Sequence, residues 1–84
     1  MKASAGTYES SDCNITVQDN DIVSIHIESI VFDQFGDQIH DVIIQTLNKH
    51  NLSKIKVDCF DKGALDYTIK SRLETALQRG GYIE

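Results

Sequence analysis

The sequence predicts an α+β fold, a small two-layer sandwich. An antiparallel or mixed sheet of three to four strands carries two helices packed on one face. Three observations predict it. Short runs of β-branched residues alternate with polar ones at period two, two longer stretches place apolar residues at helical spacing, and every element carries a single apolar side. The 84 residues are read as one domain, 1–84, because so short a chain cannot divide its core in two.

The strands come first. Cys13, Ile15 and Val17 alternate with Asn14, Thr16 and Gln18, and Val23, Ile25 and Ile27 with Ser24, His26 and Glu28. Asp19-Asn20-Asp21 between them is a turn cluster, so these two strands are expected to form a hairpin. Ile55, Val57 and Cys59 alternate with Lys54, Lys56 and Asp58 as a further strand. A strand at Gly6–Glu9, before the others, would put Ser10 and Ser11 at the tip of a tight hairpin, flanked by Glu9 and Asp12. Met1–Ala5 and Gly80–Glu84 read as ends outside these elements.

The helices follow. Phe35, Ile39, Val42, Ile43, Thr46 and Leu47 fall at offsets 0, 4, 7, 8, 11 and 12, one continuous stripe. Asp33 or Asp37 is expected to satisfy free amides at its start, with Asn51 as the stop. Leu65, Ile69, Leu73, Ala76 and Leu77 repeat the stripe. Asp61 or Asp66 sits near its entrance and Arg79 in its last turn, as the helix dipole favours, and Gly80-Gly81 ends it. One sheet face and two helical stripes bury one another, leaving a core but no pocket of enzyme size.

Composition excludes several classes of function. Thirteen acids against eight bases give a net charge of −5. The bases do not cluster as phosphate-backbone binding requires, and the charge opposes anionic membranes. It suits a partner with a basic surface. No apolar stretch follows Met1-Lys2 and no run is long enough to span a bilayer, so the expected location is cytoplasmic. Cys13 and Cys59 are expected to be free thiols there. Both lie on the apolar sides of their strands, and burial makes them poor nucleophiles. Without a CxxC spacing or paired histidines they are also a poor zinc site.

A solitary catalyst needs a nucleophile, a base and an orienting group together. His26 sits on the polar side of a strand, His40 on the polar side of the first helix, and His50 at that helix's end. All three read as surface. Asp37 and Asp41, four apart, share a solvated face or a docking surface. Tyr8 and Tyr67 read as core or rim aromatics. Lys62-Gly63 lacks the glycine spacing and following hydroxyl residue of a phosphate loop. No catalytic residue and no metal ligand is predicted.

Read together, AGTYESSDCNI, QFGDQIHDVIIQTLNKHN and DKGALDYTIKSRLETAL resemble the acyl carrier protein family of citrate lyase, its gamma subunit. The resemblance runs without obvious gaps from about Ala5 to Leu77. Its most specific parts are QFGD (Gln34 to Asp37), DKGALD (Asp61 to Asp66) and RLE (Arg72 to Glu74).

In that family a serine in a Glu-Ser-Gly-Asp stretch carries a covalent group. The matching residues are Glu9, Ser10, Ser11 and Asp12, so the resemblance implies Ser10 as the attachment residue. Ser11 stands where the family usually has glycine, in a turn thereby less free to take positive φ. The implied group is 2'-(5''-phosphoribosyl)-3'-dephospho-CoA, joined to the serine by a phosphodiester and ending in a thiol. The implied cycle holds an acetyl thioester on that thiol. The alpha subunit, an acyl transferase, exchanges the acetyl for citrate and releases acetate. The beta subunit, a citryl lyase, cleaves the product to oxaloacetate and restores the acetyl thioester. A prosthetic-group transferase and an acetylating ligase complete the implied partners. The Asp-Ser-Leu motif that opens a helix in fatty-acid carriers is absent here. The carrier subunit of malonate decarboxylase, with the same type of group and a similar fold, and an unmodified adaptor subunit are the competing readings.

Overall fold

The computed structural model describes residues 1–84, all of the chain. In chain order the elements are β1 (Lys2–Gly6), β2 (Cys13–Asp19), β3 (Ser24–Ser29), α1 (Phe32–Lys49), β4 (Ile55–Asp61) and α2 (Asp66–Arg79). The four strands form one mixed sheet in the order β1-β2-β4-β3. β1 pairs antiparallel with β2, β2 antiparallel with β4, and β3 parallel with β4. The α+β sandwich expected from the sequence is present, with four strands. No helix is long and apolar enough to cross a membrane.

The predicted β2–β3 hairpin is not formed. Asp19-Asn20-Asp21 does turn the chain, but β4 occupies the place between the two strands. The 18-residue helix between β3 and β4 explains it. A helical crossover returns the chain parallel to the strand it left, so β3 takes β4 as its neighbour. β4 alternates fully buried with half-buried residues along its length, as a strand flanked by neighbours on both edges does, and it lies inside the sheet between β2 and β3.

The expected early strand also lies elsewhere. Lys2–Gly6 forms it, while Thr7–Glu9 belongs to the loop that follows. Both chain ends are built into the fold rather than lying outside it. The Met1 amino group pairs with Asp19. Tyr82 donates its hydroxyl to the Met1 carbonyl at 2.9 Å and to Asp19 at 2.7 Å, and the phenol is pushed up to about 12 by burial and by the Asp19 carboxylate. Arg79 donates to the Ser4 carbonyl at 3.0 Å.

The buried side chains of β1, β2 and β4 share one sheet face, and both helices cover it. Ala5, Cys13, Ile15, Val17, Ile55, Val57 and Cys59 meet Ile39, Ile43 and Leu47 of α1 and Ile69, Leu73, Ala76 and Leu77 of α2. The helix stripes are therefore those the spacing predicts, except at their first members. Phe35 and Leu65 are exposed, at 44% and 61%.

Helix starts differ from expectation too. Val31 is the N-cap of α1 and Leu65 that of α2, and neither has a side-chain cap. Asp33 and Asp66 lie in the first turns, where the dipole favours them, and Asp37 lies a turn further on. The stops are as predicted. Asn51 takes φ 58 and Leu52 N–H donates to the Leu47 carbonyl at 3.0 Å. Gly81 takes φ 78 and Tyr82 N–H donates to the Leu77 carbonyl at 2.9 Å. Both are Schellman closures.

This topology sets the stage for the site. The β1–β2 loop, the ends of β3 and β4 and the N-termini of both helices all gather at one end of the molecule.

Candidate functional site: a braced serine loop

Six residues, Thr7 to Asp12, connect β1 to β2, with Ser10 and Ser11 at the tip. The loop opens at Gly6, whose φ is +102; a Cβ there would lie 1.9 Å from the Cys13 carbonyl oxygen, so only glycine fits. Thr7 N–H donates to Cys13 O at 3.2 Å, and Asn14 Nδ2 donates to Gly6 O at 3.2 Å. Asp12 N–H donates to Glu9 O at 3.2 Å, closing a four-residue turn with Ser11 at its third position. Ser11 takes φ 63, the left-handed region. That is the conformation a glycine adopts freely at this position and an L side chain only at a cost.

Neither serine hydroxyl makes a hydrogen bond within the chain, and both residues are exposed. The backbone around them is fixed. Ser11 N–H donates to Lys62 O at 2.8 Å, and Lys62 N–H donates back to Asp12 O at 2.9 Å. The tip is thus docked on the segment leaving β4.

Asp12 is the brace. Its carboxylate accepts from Arg72 Nε at 3.0 Å and Nη2 at 2.8 Å, from Thr7 Oγ1 at 2.7 Å and from Cys13 N–H at 2.7 Å. Thr7 Oγ1 in turn accepts from Glu9 N–H at 3.2 Å. The Arg72 fork, then Thr7, hold the Asp12 carboxyl far below the usual carboxylate range, and Asp12 raises Arg72. The pair joins residues 60 positions apart and anchors the loop to α2. Planar bidentate pairing is the geometry arginine supplies and lysine does not.

A pH dependence follows. The folded-state pKa of Asp12 is depressed, so its stabilisation is complete above the unfolded value of about 3.9 and is lost as pH falls below it. Arg72→Ala is expected to cost about 1–2 kcal/mol at neutral pH, discounted because Arg72 is 39% exposed. The gap to wild type should narrow below about pH 4. Denaturant titrations at several pH values check this; a gap that widens on acidification contradicts it. Ser11→Gly is expected to raise stability by about 0.5–1 kcal/mol, relief of the left-handed strain exceeding the added unfolded-chain entropy. A lower unfolding midpoint for Ser11→Gly would contradict that.

The segments that stand out in the sequence converge on this end. Asp61 is 3% exposed, and its carboxylate accepts from Ser29 Oγ at 2.7 Å, Gly63 N–H at 3.1 Å and Ala64 N–H at 2.9 Å. Ser29 Oγ accepts from Val31 N–H at 3.1 Å. Asp61 therefore ties the start of α1 to the approach to α2, rather than capping α2 itself. Gly63 takes φ +87 in that approach. Asp66 accepts from Gln38 Nε2 at 2.9 Å, joining the two helices. Gly36 packs against the Phe32 ring. Tyr8 stacks edge-on against Phe60 at 6.1 Å.

The largest concavity, about 650 Å3, is an open groove between the helix N-termini, walled by Phe35, Ile39, Leu65 and Tyr67 among others. The expectation of no pocket of that size is corrected, since the exposed Phe35 and Leu65 leave the sandwich open there.

The remaining predicted residues lie apart from the serine loop. His26 pairs with Glu28 at 3.2 Å on the exposed sheet face. His50 meets Glu74 at 2.8 Å, which lowers Glu74. His40, Asp37 and Asp41 are exposed on α1. Cys13 and Cys59 are buried and free, and the Cys59 thiol is pushed up by its hydrogen bond with Cys13 and by burial. Tyr8 and Tyr67 are rim aromatics, 59% and 71% exposed. Sequence reasoning missed Arg72 as the partner of Asp12. Only its place in the RLE segment signalled it, and a salt bridge across 60 residues leaves no periodic trace.

Fold and site together define a small non-helical-bundle module that presents a serine on a braced hairpin. Comparison with known proteins places it further. A family model described as "ACP: Malonate decarboxylase delta subunit (MdcD)" matches residues 1–80. The citrate lyase acyl carrier protein of Oenococcus oeni is 51% identical over 78 residues, covering 92% of this chain and 80% of that one. That of Lactiplantibacillus plantarum is 50% identical over 78 residues, 92% of this chain and 81% of its own. That of Streptococcus mutans is 44% identical over 84 residues, 98% and 82%. The chain belongs to this acyl carrier protein family, alongside the citrate lyase acyl carrier proteins. A Pseudomonas malonate decarboxylase hetero-tetramer, solved in complex with malonate, contains a chain of the same fold. The TM-score is 0.81 at 18% identity, over 93% of this chain and 81% of that one.

Proposed function

We propose that this chain is the acyl carrier subunit of a citrate lyase and that Ser10 Oγ is its point of covalent attachment. The observation that carries the reading is an exposed hydroxyl, free of partners, on a turn fixed by Asp12, Arg72 and the Lys62 backbone. A transferase can approach such a hydroxyl from solvent, while both helices stay committed to the core.

The residues present fit a phosphodiester-linked arm, 2'-(5''-phosphoribosyl)-3'-dephospho-CoA. Attachment needs one accessible hydroxyl and a rigid base, and the loop supplies both. When bound, the group contributes a terminal thiol that holds acetyl or citryl units as thioesters for cleavage of citrate to acetate and oxaloacetate. Ser10 anchors; it needs no activation once loaded. Asp12 and Arg72 keep the anchor in one orientation, so the arm sweeps from a fixed pivot. Tethering replaces bimolecular encounters with near-intramolecular ones, at effective concentrations of order mM. The partners are the alpha and beta subunits, a prosthetic-group transferase and an acetylating ligase. Cytoplasmic location accords with two buried free thiols.

The carrier subunit of malonate decarboxylase is the second reading, supported by the description of the matching family model and by the shared fold. Intact mass of the chain purified from its native host tests the carrier reading. One large adduct per chain is expected; the bare chain mass in an assembly that still cleaves citrate supports an unmodified adaptor instead.

A further inference from the structure

The face of the sheet turned away from the helices is polar, with one exception. β2 contributes Asn14, Thr16 and Gln18 to it, and β4 contributes Lys56, Asp58 and then Phe60. Phe60 is the penultimate residue of β4, opposite Asn14 on one side and Glu28 on the other, at the end of the sheet that carries the serine loop. Tyr8 leans on it from that loop. The ring centroids are 6.1 Å apart with 64° between the planes, and the Tyr8 hydroxyl donates to Asn14 Oδ1 at 3.3 Å. Tyr8 nevertheless stays 59% exposed, and Ile30 beside the pair is 71% exposed. Single exposed apolars are ordinary, but these three line an open cleft of about 260 Å3.

The cleft adjoins the anchor twice over. Tyr8 is two residues from Ser10 in the same loop. Lys62 also lines the cleft, and its backbone bonds to Ser11 and Asp12. Lys62 makes no ion pair within the chain. The acids of the cleft are already engaged. Glu28 pairs with His26, and the Asp61 carboxylate accepts from Ser29 and two loop amides. Glu9 does not line it. Open aromatic surface beside an unpaired ammonium is what a nucleotide requires, the rings for the base and the cation for phosphate. The larger groove between the helix N-termini has no basic residue in its wall and holds Asp61 and Asp66 instead.

We infer that Tyr8 and Phe60 hold the adenine of the arm, with Lys62 beside its phosphates, so that the arm leaves the serine along the outer face of the sheet. The inference rests on the carrier reading. In 2'-(5''-phosphoribosyl)-3'-dephospho-CoA the phosphodiester, a ribose and the adenosine come first from the serine, and the diphosphate and the thiol-bearing chain follow. The cleft is smaller than the roughly 300–1,000 Å3 of sites that enclose a whole small ligand, so it takes one unit of the arm. Holding the first unit leaves the thiol end free to travel between active sites. A weak site suffices, because the tether supplies an effective concentration of order mM.

The test compares NMR spectra of the bare chain and of the loaded chain purified from its native host. Loading should produce cross-relaxation between the adenine protons and the rings of Tyr8 and Phe60, with ring-current shifts at the Ile30 methyls. Loaded Tyr8→Ser should weaken the held state by about fivefold or more, the lower end of what base–aromatic stacking contributes, read as loss of most of those contacts. Tyr67→Ser, in the other groove, should leave them as in wild type. Should the transferase refuse Tyr8→Ser, the wild-type comparison decides alone. Loading shifts confined to Thr7–Asp12, adenine contacts to Leu65 and Tyr67, or contacts that survive Tyr8→Ser each overturn the inference, while an adduct on Ser10 keeps the carrier reading intact. A chain that is bare in its native host sinks the carrier reading, and the inference with it.

Discussion

Ser10→Ala is expected to abolish covalent loading completely while leaving the fold unchanged. The hydroxyl is exposed and supports nothing else in the structure, so its removal should alter stability by less than about 0.5 kcal/mol. Ser11→Ala should still be loaded, because its backbone rather than its hydroxyl is engaged, through the bond to Lys62 O. The comparison is sharp because the two serines are adjacent yet differ in backbone state. Ser11 occupies the left-handed turn position, and Ser10 precedes it. Co-expression of each variant with the prosthetic-group transferase, followed by intact mass measurement, reads the result. Loading of Ser10→Ala with loss of loading in Ser11→Ala would reverse the assignment.

Leu73→Ala carries the largest expected cost to stability, about 2–5 kcal/mol. Leu73 is fully buried at the middle of the α2 stripe, with Ile69 and Leu77 one turn to either side. α2 covers β1 and β2, the two strands that carry the serine loop, and on its next face it holds Arg72 against Asp12. A cavity at Leu73 therefore loosens the loop as well as the core. For a chain this small, stability rests on one cluster of 14 buried apolar residues, and a loss of this size is a large part of the total. Urea denaturation checks it. A change below about 0.5 kcal/mol would show that Leu73 does not serve the core.

The faces of the elements were legible in the sequence, and their neighbours were not. Alternation at Cys13, Ile15 and Val17, and at Ile55, Val57 and Cys59, correctly marks the buried side, because a strand reveals its inward residues at period two. Periodicity does not say which strand lies beside which. The turn at Asp19-Asn20-Asp21 suggested a local hairpin, whereas the helix between β3 and β4 decided the pairing. β1 was hidden for a different reason. Lys2-Ala3-Ser4-Ala5-Gly6 contains no β-branched or aromatic residue, and it is a strand because β2 offers it an edge and Ala5 packs into the core.

At the site, Ser10 and Asp12 stood out through the family motif, and the polar cluster around them marked a turn. The means by which the turn is held did not stand out. Arg72 reaches Asp12 from α2, and Lys62 meets Ser11 through backbone atoms that any residue could supply. The sequence offers Asp61 or Asp66 as the acid at the entrance of α2; Asp66 lies in the first turn, whereas Asp61 binds Ser29 and the loop amides. Such ties depend on the tertiary path of the chain, so they become visible only once the sheet order is known.

The most direct measurement is a fragment mass spectrum of the peptide spanning Tyr8 to Asn14, cut from protein purified from its native host. One phosphodiester-linked adduct is expected, localised to the Ser10 side chain. An unmodified peptide from a preparation that still cleaves citrate, or an adduct on any other residue, would contradict it.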